Sequence, residues 1–186
     1  MATDDWIGPL GGVECYVMRW LVDGYNVIRC DPGLAAHEGE SLEAGRDALC
    51  RLLADAARTS GDQFTVVFDG ARGGGATFAG RGVRVLFSRA PERADHVLAR
   101  LAGAGVAVVT NDRELRQTVA RTGAVAVSAD EFVARIFAPP GPGRSEEDEE
   151  GVPRGPKSGN PRRLSKKARA AARALNRLRH RPKRSP

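Results

Sequence analysis

Short apolar runs recur between residues 18 and 137, and each ends on a polar residue or a glycine. Those at 19–22, 64–68, 82–87, 105–109 and 124–127 are rich in Val and too short for helices. Continuous runs of this length are the pattern of parallel strands buried on both faces. The longer stretches between them carry apolar residues at helical spacing instead. Residues 42–58 place Leu42, Leu49, Leu52 and Leu53 near one face, with Ser41 as an N-cap. Residues 91–102 open with Pro91 in a first-turn position and set Val97, Leu98 and Leu101 on one side. Helices over 112–121 and 129–137 complete the series. Strand and helix in alternation predict an α/β domain of three layers, a mainly parallel central sheet between helices. The stretch 70–81, with Gly73-Gly74-Gly75, reads as a mobile loop.

Outside this region the pattern changes. Residues 1–17 are Gly-rich and weakly patterned, a flexible extension. Met18 heads the first apolar run and reads as a natural start, the alternative being a short genuine N-terminal segment. Residues 138–163 hold Pro139-Pro140-Gly141-Pro142-Gly143, an acidic run, and further Pro and Gly. Such a segment buries too little apolar surface to offset its ordering entropy, so a disordered linker is expected. Residues 164–186 return to Ala, Leu, Arg and Lys. There Leu164, Ala168, Ala171, Leu175 and Leu178 recur at helical intervals and leave the other faces basic. A tail helical in part is expected, marginal alone and best formed when its charge is neutralised.

Charge sharpens this division. The chain carries +6 overall, but residues 1–143 sum to −3, with 15 Arg, no Lys and 18 acids. Residues 144–150 carry −4, and residues 151–186 carry +13 with no acid at all. A mildly acidic globule therefore bears a polycationic tail, which points to a polyanion partner, the alternative being a solvated tail. Arg162, Arg163, Lys166, Lys167, Arg169 and Arg173 are its candidate contacts to such a polyanion. The acidic run Glu146–Glu150 could fold back on the basic segment when no polyanion is present. Cys15, Cys30 and Cys50 form neither a CxxC pair nor a metal-ligand spacing, so no disulfide framework or zinc site is indicated. No secretory signal and no run long enough to span a bilayer is evident, which makes the cytoplasm the expected location.

The informative chemistry lies where the strands end. In an open parallel sheet, ligands bind beyond the carboxyl ends of the strands. Asp23-Gly24-Tyr25-Asn26 comes after the first strand and Asp69-Gly70 after the second. Asp95 falls in the helix turn after the third, and Thr110-Asn111-Asp112 comes after the fourth. Each Asp alone has a structural reading as a turn residue or a helix-terminal charge. Asp23, Asp69, Asp95 and Asp112 at successive strand ends are better read as one anionic pocket. Gathered carboxylates repel, and a divalent cation removes that repulsion; a hard ion such as Mg²⁺ suits oxygen ligands. Mn²⁺ is the alternative.

The segment Leu21-Val-Asp-Gly-Tyr-Asn-Val-Ile28 resembles the opening strand of NYN-domain proteins, and in particular their YacP-like branch. Also similar are Glu43-Ala-Gly-Arg-Asp-Ala-Leu49, Val66-Val-Phe-Asp-Gly70, Val85-Leu-Phe-Ser88, Ala94-Asp95, Thr110-Asn-Asp-Arg113 and Ser128-Ala-Asp-Glu-Phe132. The resemblance spans about residues 18–137 and leaves out the extension and the basic tail. It implies a PIN-like fold and a ribosome-associated endoribonuclease that cuts RNA, mRNA included. It also implies that Asp23, Asp69, Asp95 and Asp112 bind metal, with Asn26 shaping the site. The family often has a second acid after the Ala-Asp pair. Here His96 stands there, expected to face solvent, which leaves the number of metal ions open.

On this reading Asp23 and Asp112 are direct or water-mediated ligands. Asp69 and Asp95 complete the cage or orient the attacking water, and Asn26 and Asn111 supply hydrogen bonds. Arg72, Arg81 and Arg113 are candidate phosphate contacts. The alternative is a non-catalytic RNA- or ribosome-binding protein on the same fold. A receiver domain is disfavoured because the globule has no Lys, and a dinucleotide-binding fold because no Gly-rich phosphate loop comes after the first strand.

Overall fold

The computed structural model describes residues 17–70, 77–80, 82–138 and 165–178. The strands are β1 (Arg19–Asp23), β2 (Gln63–Phe68), β3 (Thr77–Gly80), β4 (Val83–Phe87), β5 (Val106–Val109) and β6 (Val125–Val127). The helices are α1 (Gly24–Cys30), α2 (Pro32–Glu40), α3 (Leu42–Ser60), α4 (Ala94–Leu101), α5 (Arg113–Arg121), α6 (Ala129–Ile136) and α7 (Lys166–Arg177). The strands lie in the order β3-β4-β2-β1-β5-β6. All neighbours are parallel except β3, which runs antiparallel to β4 at the edge. The mainly parallel sheet expected from the Val-rich runs is therefore present.

Alternation along each strand sorts the core into two layers. Trp20, Val22, Phe64, Val66, Phe68, Ala107 and Val109 face one side, where α1, α2, α3 and α6 cover them. Leu21, Val67, Val106 and Val108 face the other, under α4 and α5. The larger layer is aromatic: Trp20 lies 5.4 Å from Phe132 and 6.2 Å from Phe64, centroid to centroid. A buried carboxylate anchors the start of β1. Asp62 accepts from the Met18 amide and from Trp20 Nε1, both at 3.0 Å.

Local signals account for most helix ends. Ser41 caps α3 as expected, accepting from the Ala44 amide at 3.0 Å, and Gly61 at φ 77° closes it. Ser128 and Glu131 form a reciprocal capping box on α6. Several expectations need correction. The fourth helix starts at Ala94, not Pro91, because residues 89–92 close a turn in which the Glu92 amide donates to the Arg89 carbonyl at 2.7 Å. Leu42 is half exposed rather than part of the buried face. Within the expected loop 70–81, residues 77–80 pair with β4 as a strand; residues 71–76 lie outside the described residues. Helices α1 and α2 are additions that the apolar pattern does not announce. The α1 sequence Gly-Tyr-Asn-Val-Ile-Arg-Cys has poor helix propensity, and packing of Val27 and Ile28 into the core overrides it.

Helix α7 lies against the β6 edge and α6, with Ala171 and Ala174 buried and Leu175 and Leu178 partly so. Arg135 of α6 donates from Nε to the Leu175 carbonyl at 3.0 Å and from a terminal nitrogen to Asn176 Oδ1 at 3.3 Å. The predicted apolar stripe is thus the docking face, with Ala174 added and Leu164 outside the described residues. Among the described residues no helix is long and apolar enough to cross a membrane.

Candidate active site at the carboxyl edge of the sheet

The strand order has one reversal, at β1, where the chain passes to β2 on one side and later reaches β5 on the other. Crevices open at such switch points. Asp23, the last residue of β1, continues the alternation of Leu21 and so belongs to the α4 side of the sheet. Thr110 continues the alternation of Val108 in the same way. Its buried hydroxyl donates to Asp23 Oδ2 at 3.1 Å and accepts from the Asp112 amide at 3.1 Å. One hydroxyl therefore ties the ends of β1 and β5 together. Asp23 also caps α1, accepting from the Asn26 amide at 3.4 Å.

Burial pushes the Asp23 carboxyl above its ordinary value of 3.8. The Thr110 hydroxyl and the Asn26 amide pull it back down, while the charges of Asp95 and Asp112 push it further up. The electrostatic field at Asp23 thus identifies Asp95 and Asp112 as its anionic neighbours. Asp112 is exposed; its side chain accepts from the Leu115 amide at 2.8 Å as the cap of α5. Asp69 is exposed at the end of β2 and accepts from Ser88 Oγ at 2.6 Å. Ser88 also receives the Gly70 amide at 3.3 Å. The four acids line one edge, but they are not equivalent. Asp95 and Asp112 are the charges felt at Asp23, whereas Asp69, past the end of β2, is held by Ser88. Among the described residues no three His, Cys, Asp or Glu side chains are close enough to grip an ion directly. The donor set is nevertheless all hard oxygen. It suits a cation that keeps part of its water shell, as Mg²⁺ usually does.

The two asparagines clasp neighbouring segments through their side chains. Asn26 Oδ1 accepts from the Asn111 amide at 3.0 Å. The Asn111 side chain donates to Asp130 Oδ2 at 2.8 Å and to Cys30 Sγ at 3.1 Å, and accepts from the Ala129 amide at 2.9 Å. It joins α1, the end of β5 and the start of α6 by these hydrogen bonds. Burial first, then Asp130 and Asp23, raise the Cys30 thiol, which keeps it protonated and disfavours thiolate chemistry here.

Gly24 stands after Asp23 for a packing reason: a Cβ there would come within 2.2 Å of the Phe68 ring. His96 is exposed, as expected. Arg113 is exposed beside Asp112, and Lys166, Lys167, Arg169 and Arg173 are exposed on α7. Arg72, Arg81, Arg162 and Arg163 lie outside the described residues. Sequence reasoning misses the roles of Thr110 and Ser88, although both come directly after strands and the strand-end rule applied to hydroxyls would find them.

Comparison with known proteins agrees with this geometry. The profile of the YacP-like NYN domain family matches residues 20–177. That span runs through α7, beyond the limit near residue 137 drawn from the motifs. An uncharacterized protein, YacP, of Bacillus subtilis (strain 168) is 31% identical over 124 residues, which cover 62% of this chain and 73% of that protein. The crystal structure of a point mutant of Rae1 (YacP) from Bacillus subtilis is similar at TM-score 0.54 and 28% identity, covering 64% of this chain and 75% of that one. A second crystal structure of Rae1 (YacP) gives TM-score 0.52 and 28% identity, with 63% and 72% covered. With β1, its Asp-Gly-Tyr-Asn sequence and the acidic strand ends all in place, the chain belongs to the YacP-like NYN domain family, a PIN-like fold whose class is that of RNA-acting nucleases.

Proposed function

We propose that this protein is a metal-dependent endoribonuclease that cleaves RNA at the carboxyl edge of its sheet, with mRNA on the ribosome, in the cytoplasm, as the substrate. The observation that carries the reading is the condition of Asp23. A partly buried carboxylate, raised by desolvation and by two neighbouring acids, is a poor structural choice unless something positive shares the site. Mg²⁺ or Mn²⁺, when bound, supplies Lewis acidity at the scissile phosphate and makes water acidic enough to attack. Asp23 and Asp112 would hold the ion, with Asp95 adding charge from the first turn of α4. Thr110 fixes the Asp23 carboxylate, and its backbone neighbour Asn111 fixes the loop that carries Asp112. Asp69, oriented by Ser88, would direct the attacking water.

The exposed basic residues of α7 supply sequence-independent attraction to the RNA backbone, which weakens as salt rises. Free Cys30 and Cys50 suit a reducing compartment. The test is RNA cleavage with Mg²⁺ by Asp23→Asn and Asp112→Asn. Each is expected to lose on the order of 100-fold or more, the scale for removing one group that stabilises transition-state charge. Undiminished cleavage by both refutes the assignment. The lack of a direct three-group cage among the described residues favours a second reading, a non-catalytic RNA-binding protein. Calorimetric titration separates the two: a nuclease takes up Mn²⁺ in a manner abolished by Asp23→Asn, and a binding protein does not.

A further inference from the structure

On the α3 side of the same edge stands a cation that the acidic site does not use. Arg46 reaches from α3 over three rings, its guanidinium carbon 5.4 Å from the centroid of Tyr25, 5.6 Å from Phe68 and 5.2 Å from Phe87. Each ring is set by the strand ends: Tyr25 is two residues past Asp23, Phe68 precedes Asp69, and Phe87 precedes Ser88. Arg46 Nε donates to Tyr25 Oη at 2.9 Å, and a terminal nitrogen donates to the same oxygen. The guanidinium is thereby fixed in plane and direction.

Among the described residues its charge has no acid partner. Arg29, Arg58 and Arg100 each pair with a carboxylate at 3.0–3.2 Å, whereas among the described residues no carboxylate lies within ion-pair distance of Arg46. No buried side-chain nitrogen there lacks a hydrogen bond, so the terminal nitrogen that Tyr25 does not engage opens to solvent. Cation–ring contact offsets part of the cost of holding an unpaired charge. What remains is a rigid planar fork, with spare N–H groups, beside a site that would hold a phosphodiester. That is the geometry suited to bidentate contact with phosphate oxygens.

We infer that Arg46, backed by Tyr25, Phe68 and Phe87, binds a backbone phosphate of the RNA strand next to the scissile one. The inference rests on the nuclease reading for its place in the reaction, but not for the binding itself. Arg46 would act as a positioning residue: it holds the strand in register while the acids on the α4 side meet the phosphate to be cut.

The experiment uses the full chain, a fluorescein-labelled single-stranded RNA oligonucleotide, and the variants Arg46→Gln and Arg46→Lys. Both are first checked for native circular dichroism and thermal unfolding. Binding anisotropy is measured across a salt series. Loss of one phosphate contact lowers the slope of log affinity against log salt by about 0.7 for single-stranded nucleic acid. Arg46→Gln is expected to show that drop, and Arg46→Lys to keep the slope while losing affinity, since the charge stays and the fork is gone. Oligonucleotides carrying one uncharged methylphosphonate at successive positions then locate the phosphate. One position should weaken the wild type and have no further effect on Arg46→Gln. An unchanged slope in folded Arg46→Gln, or methylphosphonate effects equal in both proteins at every position, overturns the inference. If binding behaves as expected but wild type cuts no RNA, the phosphate site stands and the nuclease reading falls. Should Arg46→Gln not fold, Arg46→Lys with the methylphosphonate series decides alone.

Discussion

Replacing Thr110 with Val tests whether one hydroxyl holds the site together. The two side chains have the same shape, so the buried position stays filled and only hydrogen bonds are lost. Wild-type Thr110 donates to the Asp23 carboxylate and accepts from the Asp112 amide. The first is a charge-assisted bond, worth about 1.5–3 kcal/mol when Asp23 is ionised, against about 0.5–1.5 kcal/mol for a neutral bond. The second costs little to lose, because Asp112 is exposed and water can replace the acceptor.

The cost of the substitution should therefore depend on pH. Asp23 is already raised in the folded state, so the native protein binds that proton more tightly than the unfolded chain and loses stability as pH climbs from 3.8 through the folded value. Without the hydroxyl the folded value rises further, and the variant loses more over the same climb. We expect destabilisation of about 1.5–3 kcal/mol at pH 8 and less at pH 4, where a larger share of Asp23 is protonated than at pH 8. Loss of the hydroxyl raises Asp23 further, so the acid limb of the cleavage profile should move to higher pH. Urea unfolding at both pH values and the pH dependence of kcat/KM provide the readouts. Equal destabilisation at pH 4 and pH 8, with an unmoved acid limb, would show that Thr110 does not hold the carboxylate.

The same geometry yields further expectations. Asp23→Asn removes a charge that the fold disfavours, so the variant should abolish cleavage yet unfold at or above the wild-type temperature at pH 8; a clear loss of Tm there contradicts the raised Asp23. Gly24→Ala drives a methyl into Phe68 and should cost about 1–3 kcal/mol in denaturant unfolding; a neutral result would mean that the ring moves freely. Asp62→Leu strands the Met18 amide and Trp20 Nε1 and should cost roughly 2–4 kcal/mol, read by chemical denaturation. Combined Lys166→Gln, Lys167→Gln, Arg169→Gln and Arg173→Gln should leave stability nearly unchanged, because all four are exposed, while lowering the salt slope of RNA binding by up to about 0.7 per residue. Unchanged salt dependence removes α7 from the RNA interface.

The parallel sheet is legible in the sequence because its strands are buried on both faces and so read as unbroken Val-rich runs, and because Ser41 and Ser128 mark helix starts with their own side chains. The acidic edge is legible for a related reason: in a parallel sheet, topology brings the residues just past each strand to one rim, however far apart they lie in the chain. The hidden parts depend on contacts between distant segments. Nothing in Gly24–Cys30 announces a helix until Val27 and Ile28 meet the core. Nothing near Asn111 reveals that its amide is consumed by Cys30, Ala129 and Asp130. Arg46 looks like an ordinary surface arginine on an amphipathic helix, and only the pairing of β1, β2 and β4 brings three rings beneath it. The docking of α7 is half visible, since its apolar stripe shows in the sequence but the surface it covers belongs to β6 and α6.

The central place of β1 bears on how the protein matures. Its two partners in the sheet arrive 44 and 87 residues later, at Gln63 and Val106, so the strand that carries Asp23 stays half-paired until most of the chain has been made. A truncated product ending before β5 would bear Asp23, Asp69 and Asp95 but lack Thr110 and Asp112. Such fragments carry three of the acids without the hydroxyl that ties β1 to β5. Long-range closure of this kind is slow to form, so the acidic rim is completed only after β5 takes its place beside β1.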